Sequence, residues 1–84
     1  MIKLKNIRYE ALTGCIKAEA YVEDCTEAVE LTMEKDGRLE NEVVLPKGYE
    51  YCRGHILHAE LYLKRLFKDS GGNFLPHDNT IMWY

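Results

Sequence analysis

No apolar run in this chain approaches the roughly 20 residues that a membrane-spanning helix needs. The opening stretch MIKLKNIRYE lacks the apolar core of a secretory signal, so a cytoplasmic protein with no membrane contact is expected. A disulfide framework is missing too. Cys15, Cys25 and Cys52 are odd in number and lack metal-ligand spacing, which suits reduced thiols. There is no phosphate-cradling glycine loop, nucleophile elbow, paired-metal motif or nucleic-acid-binding module. Internal repeats, linkers and low-complexity stretches are likewise absent.

The chain also lacks a dominant positive field. Its formal net charge is −3, and residues 10–42 carry ten acids against three bases. Nucleic-acid binding is therefore disfavoured, although Arg53, Lys64, Arg65 and Lys68, with Tyr51 and Tyr62 nearby, could stack and pair with single strands. What is present is ordinary globular material, 46% hydrophobic and 30% charged over 84 residues. That length supports a single domain, 1–84, with one modest core.

The segment from Gly48 to Ser70 carries the only sustained helical period. At 100° per residue Cys52, Ile56, Ala59, Leu63, Leu66 and Phe67 share one side, with His55 and Tyr62 at its edge. Pro46 before it and Ser70-Gly71-Gly72 after it supply start and stop signals. Lys64, Arg65 and Lys68 suit the negative end of the helix dipole.

Before this helix the sequence reads as sheet. Residues 2–12 and 15–23 flank Thr13-Gly14. A two-residue turn there pairs Glu10 with Lys17 and Arg8 with Glu19 on one face, and Tyr9 with Ala18 and Ile7 with Ala20 on the other. Residues 27–34 could open a helix with Asp24 and Glu27 as a capping box. Strand is preferred, because Val29, Leu31 and Met33 alternate with Glu30, Thr32 and Glu34. A three-residue loop, Lys35-Asp36-Gly37, then aligns Glu34 with Arg38, Met33 with Leu39, Leu31 with Asn41 and Val29 with Val43, with glycine at the left-handed position.

The expected fold is α+β: a four-stranded antiparallel β-meander packed on one long C-terminal helix (ββββα), with an apolar C-terminal tail able to add a short strand. The sheet would span 2–45, the helix 48–70 and the tail 73–84. The inner sheet face would hold Ile7, Tyr9, Ile16, Ala18, Ala20, Val22, Val29, Leu31, Met33, Leu39, Val43 and Leu45. One helix covers such a two-sided sheet.

Three surfaces are candidates for function. On the helix side opposite the core, Gly54, Leu57 and Leu61 form a second stripe. A glycine inside a helix costs about 1 kcal/mol against alanine, so a close neighbour would give it a purpose. The tail, with Phe74, Leu75, Ile81, Met82, Trp83 and Tyr84, either packs on its own domain or presents Trp83 and Tyr84 to a partner. The expected role is a small non-catalytic interaction module that binds a larger protein or a second copy of itself, as a homodimer, through tail and helix.

Two alternatives compete. Cys52 and His55, with His77 returning from the tail, could form a metal or thiol site, although Cys52 also fits the core as a small hydrophobe. His58 lies too far round the helix to join them. Glu30, Glu34, Glu40 and Glu42 could form an acidic patch for a basic partner, Glu30 facing Glu42. No cofactor and no catalytic residue are expected.

Overall fold

The computed structural model describes residues 1–39 and 43–82. In chain order these form β1 (Ile2–Glu10), β2 (Cys15–Val22), β3 (Val29–Met33), a single 3-10 turn (Glu50–Cys52) running into α1 (Arg53–Ser70), and β4 (His77–Ile81). The four strands make one antiparallel sheet in the order β3-β2-β1-β4. The expected α+β class, with a four-stranded antiparallel sheet and one long helix against it, is what the chain forms.

The strand at the far edge comes from the tail. After α1 the chain returns to lie along β1, with Ile2 opposite Ile81 and Ile7 opposite His77. The helix therefore carries the chain from the β3 edge back across to the β1 edge. The segment after β3 begins as its turn chemistry requires. Glu34 donates its backbone N–H to the Arg38 carbonyl at 2.8 Å, Met33 bridges to Leu39, and Gly37 sits at φ 84°. The expected Leu31–Asn41 pair lies outside the described residues. Val43 to Leu45 are irregular, and the Val43 carbonyl accepts from the Arg53 guanidinium at 3.1 Å instead of entering a ladder.

The β1–β2 register differs from the two-residue-turn expectation. Glu10 lies opposite Cys15, Tyr9 opposite Ile16 and Arg8 opposite Lys17. Residues 11–14 form the connection, closed by Gly14 N–H to the Glu10 carbonyl at 2.7 Å with Gly14 at φ 73°. The left-handed step falls to glycine because threonine is poorly suited to it. The shift is an even number of positions, so the faces expected for Tyr9 and Ile16 are kept. Lys17 still reaches Glu10, along the diagonal, at 3.2 Å.

A bulge between Lys5 and Arg8 then changes the phase of β1. Asn6 takes φ 52°, a conformation asparagine tolerates better than most residues. Its N–H is held by the Asp78 carboxylate at 2.8 Å. Below the bulge the even-numbered Ile2 and Leu4 point inward; beyond it the odd-numbered Ile7 and Tyr9 do. The core gains two large side chains that strict alternation would have left outside.

That core joins Ile2, Leu4, Ile7, Ile16, Ala18, Ala20, Val22, Val29, Leu31, Met33 and Leu45 to Cys52, Ile56, Ala59 and Leu63 of the helical region. Tyr9, Leu39 and Val43 pack against it while half-buried. Ala18 and Ala20 on the sheet and Ala59 on the helix are all fully buried, and small side chains there let the two layers sit close. The helix ends where Gly71, at φ 61°, donates to the Phe67 carbonyl at 2.7 Å. Gly72, at φ 98°, lies against the Tyr9 ring; a Cβ there would come within 2.7 Å of it.

Candidate functional site: the outer face of the helix

The face of α1 that packs on the sheet consumes Ile56, Ala59 and Leu63. Directly across the helix the 3.6-residue repeat places Gly54, Leu57 and Leu61 together. Leu57 is 61% exposed and Leu61 62% exposed, so the described part of the tail does not cover them. A methyl group built on Gly54 would meet no atom within 4 Å. The chain's own fold thus gives no packing reason for glycine at this position.

The stripe has a charged surround. Leu61, Lys64, Arg65, Lys68 and Asp69 line a shallow, open hollow of about 570 Å³. Lys64 leans toward Glu60 at 3.8 Å and Arg65 toward Asp69 at 3.9 Å, both one turn apart on the helix. Such exposed pairs contribute about 0.3–0.5 kcal/mol each. At the other end Glu50 is exposed, and one carboxylate oxygen accepts the Gly48 N–H at 2.9 Å. The result is a narrow apolar strip with base at its end, preceded along the chain by the exposed Glu50 of the 3-10 turn.

The proposed metal or thiol residues do not converge. Cys52 is fully buried in the core. His55 Nε2 meets the Glu23 carboxylate, which also takes the N-terminal ammonium at 2.9 Å. His77 points elsewhere: Nδ1 donates to the Leu75 carbonyl at 2.8 Å, so Nε2 accepts the Tyr62 hydroxyl at 3.0 Å. The Phe74 ring stands edge-on to His77 at 5.6 Å. Among the described residues no group of three His, Cys, Asp or Glu side chains could hold a metal ion.

Of the four acidic patch candidates, the structure describes Glu30 and Glu34. Glu30 is exposed on the open sheet face and sits opposite Glu19. Lys5 pairs with Glu19 from the other side, which relieves the repulsion. Glu34 is half-buried and accepts the Cys15 thiol at 3.4 Å. Glu40 and Glu42 lie outside the described residues, as do Trp83 and Tyr84 of the tail.

Two polar clusters were not anticipated. Glu23, at φ 50°, is held by His55 and the N-terminal ammonium, and both keep its carboxyl below the usual range, the hydrogen bond from His55 most strongly. Nearby, Tyr49 donates its hydroxyl to Asp24 at 2.9 Å, which pushes the phenol up to about 12. Both clusters depend on a turn at 23–25 closed by Cys25 N–H to the Val22 carbonyl. A left-handed glutamate gives no advance signal in the sequence. Comparison of the chain with protein-family models, curated proteins and solved structures finds no match.

Proposed function

We propose that this protein is a small, non-catalytic interaction module that works in the cytoplasm and binds protein through the outer face of α1. The observation that carries this is the exposed pair Leu57 and Leu61, one turn apart, beside a glycine with open space above it. Full burial of a leucine side chain is worth about 1.5–3 kcal/mol, so two on one stripe can anchor an interface. Gly54 lets a partner backbone approach, as small residues do at close helix contacts. Three free thiols agree with a reducing compartment.

A photo-crosslinking amino acid placed at position 61 in the living source cell tests the proposal. It should yield a discrete protein adduct, which Leu57→Glu diminishes, whereas the same probe at Lys5 on the open sheet face yields none. If position 61 gives no more adduct than position 5, the helix face is not an interface.

A further inference from the structure

The charges around this stripe suggest its occupant. Leu57, Leu61 and Lys68 fall within about 40° of one another around α1, nearly opposite Ile56, Ala59 and Leu63, and the exposed Glu50 stands in the 3-10 turn that leads into them. Their order along the axis is acid, leucine, leucine, base. Such a strip is complementary to itself when one copy is turned end for end.

We propose that the partner is a second copy of this chain, docked through an antiparallel pair of α1 helices about a two-fold axis between Leu57 and Leu61. This rests on the helix face being an interface at all. The two-fold makes the contact isologous. Leu57 of each copy meets the partner's Leu61, and Glu50 meets the partner's Lys68, so each pair forms twice. Gly54 lies opposite the turn of the other helix at 64–65, where the absence of a side chain lets the long stems of Lys64 and Arg65 lie flat.

The ends of the strip agree with this assignment. Among the described residues Lys68 makes no ion pair within its own chain. One oxygen of Glu50 is not used by Gly48. Arg53, which would otherwise meet the partner's Arg65, is drawn aside to the Val43 carbonyl. A parallel pairing would oppose Glu50 to Glu50 and Lys68 to Lys68, and like charges select against it. A single helix face is a small contact, below the roughly 1,200 Å² of stable complexes, so micromolar self-association is expected.

Sedimentation of the full chain from about 5 μM to 1 mM spans that affinity class. Wild type should pass from monomer to dimer within this range. Glu50→Lys and Lys68→Glu should each weaken the dimer at least tenfold, because each sets like charges against each other twice. The double variant E50K/K68E should recover it, as should an equimolar mixture of the two single variants. Circular dichroism of each variant should show the helix intact.

A wild-type chain that stays monomeric throughout, or a dimer indifferent to both single substitutions, overturns the proposal. Should the position-61 probe capture a different protein while the purified chain stays monomeric, self-association falls and the interaction role stands. If neither adduct nor dimer forms, both fall.

Discussion

At the scale of single residues, two polar contacts set measurable protonation behaviour. Glu23 has its carboxyl lowered by His55 and the N-terminal ammonium. A lowered acid contributes stability that is present above its unfolded value, near 4.5, and lost as pH falls through the lower folded value. Denaturant unfolding as a function of pH should therefore show wild type losing its advantage over Glu23→Gln as the solution is acidified from about pH 5. Parallel curves would mean that the contact has no weight in solution. Tyr49 moves in the other direction. Held neutral by Asp24 up to about 12, it should ionise late in an ultraviolet titration. Asp24→Asn should return one tyrosine toward the ordinary value near 10.

Two glycines separate structural from interfacial need. Gly72 combines φ 98° with a methyl clash on Tyr9, so Gly72→Ala should cost about 1–3 kcal/mol in unfolding free energy. Gly54 has neither constraint. Gly54→Ala should stabilise the isolated chain by up to about 1 kcal/mol while weakening association. A single urea series on both variants checks the contrast: one midpoint should fall and the other rise.

At the scale of elements, what was legible depended on whether the local chemistry was exclusive. The helix was readable because Cys52, Ile56, Ala59 and Leu63 leave no other period. The Glu34–Arg38 turn was readable because Asp36-Gly37 aligns the apolar faces in only one register. β1 was less so, because its alternation contains a break that only the structure locates. Ile2, Leu4, Ile7 and Tyr9 share a face only once Asn6 occupies a left-handed step. Asn6→Val should thus cost roughly 1–2 kcal/mol of stability, whereas Asn6→Gly should be nearly neutral, as read from thermal melts.

β4 was legible only as an option, a short strand added by the tail, for a different reason. Its sequence, HDNTI, turns His77 and Asn79 toward the helix side, where an apolar alternation would be sought. Backbone pairing with β1 specifies this strand more than side-chain burial does. The Glu23 cluster was out of reach because it needs the N-terminus, a turn and the helix to meet. The outer helix stripe was legible, since residues opposite a known core face must point away from it.

At the scale of the whole molecule, the two surfaces of the sheet have different fates. One is sealed by α1. The other is open and mixed in charge, with Lys3, Lys5 and Arg8 on β1, Glu19 on β2 and Glu30 on β3. No helix among the described residues is long and apolar enough to cross a membrane. Truncation ahead of His77 would remove an edge strand and bare β1, so substitutions at Leu57 and Leu61 are the sound way to probe binding. Leu61→Glu should leave the melting temperature within a few degrees of wild type, with loss confined to association.

The pairing of Ile2 with Ile81 also fixes an order of events in time. Every other seam of the sheet joins neighbours in sequence, and such hairpins close early. The β1–β4 seam closes a loop that includes nearly every other residue, which carries the largest chain-entropy cost and favours late formation. A nascent chain would therefore expose the flank of its first strand until its final strand arrives, and would be most vulnerable to sticking in that interval. In stopped-flow kinetics Ile81→Ala should accelerate unfolding and leave the refolding arm almost unmoved, while Leu31→Ala in the early hairpins should slow refolding.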